Sequence, residues 1–114
     1  MSMYEYTAKI DDVHDGDTCT ATMDLGFHVS IQLPLRLLGI NAPELSQPTG
    51  SAAMDHLKAM IDGKTVTVKT QKDKQEKYGR YLATIYVGGD PVSVNEKMVR
   101  DGHAVAWDGK GPRP

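Results

Sequence analysis

The sequence predicts a mainly β protein (α+β): one small five-stranded Greek-key barrel carrying two helices. Three observations predict it. Apolar residues alternate with polar ones, the period of half-buried strands, both near the N-terminus and past the middle of the chain. Two stretches switch to helical spacing, one between the strand groups and one after them. Eleven Gly and six Pro punctuate the chain into short elements. At 114 residues there is room for one compact domain and not for two.

Taken in order, Tyr4 to Val13 sets Tyr4, Tyr6, Ala8 and Ile10 against Glu5, Thr7, Lys9 and Asp11, a strand with one buried side. His14-Asp15-Gly16-Asp17 is a tight turn, because Asp-Gly is a strong hairpin signal. Thr18 to Met23 is a second strand. Asp24-Leu25-Gly26 turns again, and Phe27 to Leu38 continues as a long strand with Phe27, Val29, Ile31 and Leu33 on one side. Pro34 has no N–H to give a neighbouring strand and is expected at an edge, bend or bulge.

Gly39 to Gly50 reads as a loop. Ser51 to Ile61 is a helix, with Ala53, Leu57, Met60 and Ile61 spaced for one face and Gly63 just beyond its end. Thr65 to Thr70 is a fourth strand, Gln71 to Gly79 a polar, Lys-rich loop, and Arg80 to Val87 a fifth strand. Ser93-Val94-Asn95-Glu96 has the form of a capping box opening a second helix through Asp101, with Gly102 as its stop. Ala104 to Trp107 adds a short extended piece. Residues 1–107 form the domain, and residues 108–114 read as a flexible tail. Strands, helix, strands, helix in this order suit a barrel of the OB type, a shape much used to bind nucleic acids.

Net charge is −2, so the chain is no general polyanion binder. The charge is unevenly spread, however. Residues 1–24 hold six acids against one Lys, and residues 58–80 hold seven bases against three acids. An acidic pocket beside a basic rim could hold a cation and a phosphate ester together. Cys19 is alone, which excludes an internal disulfide, and it reads as a small buried strand residue. The four His residues have no metal-ligand spacing. No signal peptide or membrane-length apolar run is visible, so a cytoplasmic protein of bacterial or phage origin is the expectation. No stripe of exposed apolar residues can be read off the chain, so a monomer is expected.

Three segments combine residues that phosphodiester hydrolysis needs: Asp15-Gly16-Asp17-Thr18, then Arg36 through Asn41-Ala42-Pro43-Glu44, then Lys77-Tyr78-Gly79-Arg80. Such hydrolysis requires an attacking water, a base for its proton, and stabilisation of charge on the phosphoryl oxygens. Arg36 and Arg80 suit the last task, because a guanidinium gives two parallel hydrogen bonds and stays charged. Hard cations take oxygen ligands, which Asp and main-chain carbonyls provide.

With Val94-Asn95-Glu96 through Val99-Arg100-Asp101-Gly102, these segments resemble the staphylococcal nuclease (thermonuclease) family. The resemblance runs from about Ile10 to Ala104, with the motifs in order. It implies an OB-fold barrel, a calcium cofactor (other divalent ions remaining open), and hydrolysis of DNA or RNA with little sequence preference. The 5′ P–O bond would break, leaving 3′-phosphate ends. It implies Arg36 and Arg80 on the scissile phosphate, Glu44 as general base, Asp17 and Asn41 with the Ala42 carbonyl on the metal, and Lys77 and Tyr78 on a terminal phosphate.

The chain departs from the family's pattern at position 41, where the best-known members carry Asp. Asn41 keeps a ligating oxygen and removes a negative charge, which lowers calcium affinity. That leaves two rivals. One is a non-catalytic OB module binding nucleic acid or protein through a weakened metal site, and the other a domain that takes the ion for stability alone. A second departure is the missing match to the family's C-terminal helix and base-packing aromatics, for which Trp107 is near only in sequence.

Overall fold

The computed structural model describes residues 4–75 and 78–108. Five strands close into a barrel in the order β1-β2-β3-β6-β5. They are β1 (Tyr4–Asp15), β2 (Thr18–Asp24), β3 (Ser30–Leu37), β5 (Thr65–Gln75) and β6 (Tyr81–Tyr86). Every pairing is antiparallel except β3 with β6, the parallel joint that closes the ring. Two further short strands, β4 (Ile40–Asn41) and β7 (Val105–Ala106), pair with each other outside it. This is the mainly β barrel with two helices that the sequence predicts, consistent with an OB fold.

Alternation fills the barrel. Ala8 and Ile10 of β1, Cys19, Ala21 and Met23 of β2, and Leu35 and Leu37 of β3 are buried with Val66, Val68, Ala83 and Ile85. Helix α1 (Gly50–Ile61) packs on β1 and buries Ala53, Leu57 and Ile61, three positions on one helical stripe. Removing a fully buried leucine such as Leu57 from a stripe of this kind costs about 2–5 kcal/mol. Helix α2 (Val94–Arg100) is capped as its sequence foretells: the Ser93 hydroxyl accepts from the Glu96 N–H at 3.1 Å. Gly102 then takes φ +81°, and the His103 N–H donates to the Met98 carbonyl, closing the C-terminus. No helix among the described residues is long and apolar enough to cross a membrane.

Pro34 falls where its missing donor is harmless. Strand β3 pairs with β6 only over Leu35 to Leu37, so Pro34 sits where no described strand lies along the outer edge.

Three expectations fail, the first being that Ile40–Asn41, inside the expected loop of residues 39–50, forms the short strand β4 against β7. Gln71 to Gln75 is strand and not loop: β5 runs on past an irregularity to bring Gln75 opposite Tyr81. Polar composition marks this stretch as solvated, but the ladder offered by β6 decides its backbone. Phe27 and His28, assigned to a strand, instead form the turn of the β2–β3 hairpin, with φ of 54° and 62°. The Val29 N–H donates to the Gly26 carbonyl across it. Phe27 is consequently 97% exposed. The expected tail lies almost wholly in residues 109–114, outside the described residues.

Candidate active site

Gly16 and Asp17 are the two residues between β1 and β2, with Asp15 opposite Thr18. The turn is pressed inward. A Cβ on Gly16 would lie 2.6 Å from the Ala42 Cβ and 2.8 Å from the Ala53 Cβ, so glycine is needed for close approach. That approach lays the Asp17 side chain against the β4 segment. Its Oδ2 accepts from the Ala42 N–H at 2.8 Å and meets the Arg36 Nη1 at 3.2 Å, while its Oδ1 accepts from the Thr18 hydroxyl at 3.0 Å. The Leu37 N–H donates to the Asp17 carbonyl, so main chain and side chain are both tied to β3.

Asp17 and Arg36 are buried at 3% and 7% exposure, deep enough for their charges to interact strongly. Burial pushes the Asp17 carboxyl above its usual range, and the neighbouring Asp15 adds to this. Arg36 and the Ala42 N–H pull the other way without reversing it. Arg36 also donates to the Leu37 carbonyl at 3.1 Å, and its guanidinium lies 6.0 Å from the Trp107 ring centroid. The second arginine converges on the same spot. Arg80 reaches the Thr18 hydroxyl at 3.4 Å and lies 5.4 Å from the ring of Tyr78, which is largely exposed.

Asn41 is buried in β4, held opposite Val105 of β7. A groove of about 480 Å³ opens beside it, bounded by Pro43, Gln47 and His103. Glu44 follows in an exposed loop whose shape is fixed locally. Its N–H donates to the Gln47 side chain at 2.8 Å, and the Gln47 N–H returns to the Glu44 carbonyl. A Cβ at Gly50 would stand 1.9 Å from that carbonyl, so the start of α1 must be glycine for the loop to close. Lys77 lies outside the described residues.

The structure thus brings Asp17, Arg36, Ala42 and Arg80 together directly, with Asn41 in the adjoining residue and Glu44 on the loop that follows. Thr18 and Gly16, read in the sequence only as motif and turn residues, belong to the same cluster, and Asn95 supports it from behind. Asn95 is buried, donates to the Leu38 and Ala83 carbonyls and accepts from the Ile85 N–H. It thereby holds the chain leaving Arg36 against β6. The signal was present, since a lone Asn amid apolar helix positions needs partners, but only the fold names them.

The available donors are an Asp carboxylate, an Asn amide oxygen and a main-chain carbonyl, the all-oxygen set that suits a hard divalent cation. The Asp17–Ala42 hydrogen bond makes them neighbours. No group of three or more His, Cys, Asp or Glu among the described residues could hold a metal. Among the described residues, neutral oxygens would therefore have to complete the coordination of any cation held here.

The family model for staphylococcal nuclease homologues matches residues 34–113. The chain belongs to that family. The matched stretch contains Arg36, Asn41, Ala42, Glu44, Lys77, Tyr78 and Arg80, whereas Asp17 precedes it and is joined to it by the contacts above. An uncharacterized endonuclease of Escherichia coli is 41% identical over 97 residues, 84% of this chain and 58% of its own length. A thermonuclease of Staphylococcus hyicus is 32% identical over 108 residues, 90% of this chain and 60% of its own. A staphylococcal-like nuclease of Arabidopsis thaliana, CAN1, is 38% identical over 77 residues, 65% of this chain and 23% of its own. The chain therefore spans less than two thirds of the length of these relatives.

Proposed function

We propose that this staphylococcal-nuclease homologue is a divalent-metal-dependent nuclease that hydrolyses phosphodiester bonds of DNA, RNA or both with little sequence preference. The observation that carries the reading is the convergence of two guanidinium groups, Arg36 and Arg80, on the Asp17–Thr18 turn beside the oxygens of residues 41 and 42. Relatives of this chain include an uncharacterized endonuclease and a thermonuclease, which supports the same activity here. The working unit is the barrel domain within residues 1–107.

Arg36 and Arg80 bind the scissile phosphate and stabilise the charge that builds on its oxygens. Glu44 takes a proton from the attacking water. Asp17, Asn41 and the Ala42 carbonyl would hold the ion, calcium by family resemblance. Held there, the ion would supply positive charge against the developing phosphoryl oxyanion and would lower the pKa of a bound water. Lys77 and Tyr78 engage a flanking phosphate. The Asp17–Arg36 pair keeps both side chains aimed before substrate arrives, so little reorganisation is left to the reaction.

The test is cleavage of single-stranded DNA and of RNA in EDTA, calcium, magnesium or manganese. Metal-dependent cutting should fall about 10²–10⁴-fold in Glu44→Gln and about 10²–10³-fold in Arg80→Ala. Wild-type rates in both variants would remove Glu44 and Arg80 from the chemistry. Metal-independent binding of single strands without turnover would favour the non-catalytic module, with Asn41 as the residue to revert to Asp.

A further inference from the structure

The β2–β3 hairpin stands out as a finger whose chemistry the nuclease reading does not use. Met23 and Ile31 are partners across it, and Met23 is core, so Leu25, Val29 and Ile31 continue the barrel's inner face beyond the barrel. There they are 43%, 54% and 45% exposed, with Phe27 at the tip. From Leu25 to Leu35 there is no Asp, Glu, Lys or Arg, in a chain that is 25% charged. The outer edge of β3 from Ser30 to Pro34 has no described strand beside it, and the β2–β3 ladder beneath runs without a bulge. Natural edges are normally blunted by charge, bulge or proline, and here only Pro34 does so, at the inner end.

We propose that the finger is a self-association surface on which two copies of this chain pair their β3 edges antiparallel, near Gln32, and join their apolar faces. An open strand edge offers alternating N–H and C=O groups, and another strand satisfies them best. Identical uncharged edges meeting about a two-fold axis encounter no like-charge repulsion. Nucleic acid is a poor occupant, because backbone binding needs cations and the finger has none. A lipid surface is also poor, since it would leave the edge's polar groups unpaired in an apolar phase. The tip conformation agrees. A turn with positive φ at both central positions favours Asn-Gly, yet this chain keeps an exposed Phe there at a cost of order 1 kcal/mol. The finger also leaves the catalytic end open, since the seven-residue length of β2 puts Asp24 about 20 Å from Thr18.

The monomer expected from sequence rested on seeing no apolar stripe, and the hairpin turn creates one. Sedimentation velocity of the full chain from low to high micromolar concentration should show monomer converting to dimer. Ile31→Lys should weaken the association at least about tenfold while melting of the dilute monomer and nuclease rate per chain stay unchanged. Amide exchange at Ser30 to Leu33 should slow with concentration in the wild type and not in the variant. A chain monomeric throughout that range overturns the proposal. So does a dimer that Ile31→Lys and Val29→Lys leave intact, or a monomer that floats with phosphatidylcholine vesicles through Phe27.

Discussion

The two ends of the β2–β3 pair invert the usual rule of polarity. At one end Thr18 faces Arg36, and the residues gathered there are charged, buried and hydrogen-bonded to one another. At the other end Asp24 faces Ser30, and the residues beyond are apolar, exposed and held by little more than the turn. Buried charge is tolerated only when paired, and exposed apolar surface of this kind marks an interaction. One ladder thus carries buried charge at one end and exposed apolar surface at the other. The end that looks like core in composition is surface, and the end that looks like surface is core.

The largest expected effect comes from breaking the charged end. Arg36→Ala leaves Asp17 buried without its cation and should cost about 3–5 kcal/mol in urea unfolding near neutral pH. The sign with pH follows from Asp17. Its folded value already lies above the unfolded 3.8 and rises further without Arg36, so this part of the loss grows as pH climbs through that range and is absent below it. A loss under about 1 kcal/mol would mean that the pair is solvated and that the two ends differ little in polarity. Activity measured in this variant must therefore be read beside its stability.

The apolar end should respond in the opposite direction. His28→Gly releases left-handed strain of about 1–2 kcal/mol and adds about 0.5–1 kcal/mol of unfolded-state entropy, for a small net gain in dilute protein. A clear loss would show that the His28 side chain holds the turn.

The smallest effect sharpens the comparison with an ordinary surface pair. His56 bonds Asp101 at 2.8 Å, which with help from Arg100 holds the Asp101 carboxyl below its usual range. That stabilisation is present above the unfolded value of 3.8 and is lost as pH falls through the folded one. Asp101→Asn should flatten the acid side of the stability profile slightly. An unchanged profile would mean the pair does not form in solution.

Legibility follows range. The strands β1, β2 and β6, helix α1 and the Ser93 cap were readable because alternation, helical spacing and capping act within a few residues. Cys19 was also read correctly: it is fully buried, and burial pushes its thiol up to about 12, as befits a core residue. The Gln71 to Gln75 extension was not readable, because a polar segment becomes strand only when β6 lies beside it. The Phe27 turn was missed for a related reason. The alternation of Ile31, Leu33 and Leu35 is genuine, but it stops where the chain reverses, and the left-handed turn at Phe27 and His28 carries no Asn-Gly signal to mark it.

The same division runs through the site. Arg36, Asn41, Ala42, Glu44 and Arg80 were legible as residue types in a recognisable order, and Trp107 only by its place in the chain. That Arg36 grips Asp17, that the Ala42 N–H turns toward the same carboxylate, and that Trp107 lies near Arg36 were not. Local preference and residue chemistry made most of the strands, both helices, the oxygen-bearing side chains and the two arginines legible, but not β4, the Phe27 turn or the end of β5. Tertiary structure alone decided which donors meet and which apolar residues remain outside. Those outcomes depend on barrel closure, and closure joins residues such as Leu35 and Tyr81 that no local rule relates.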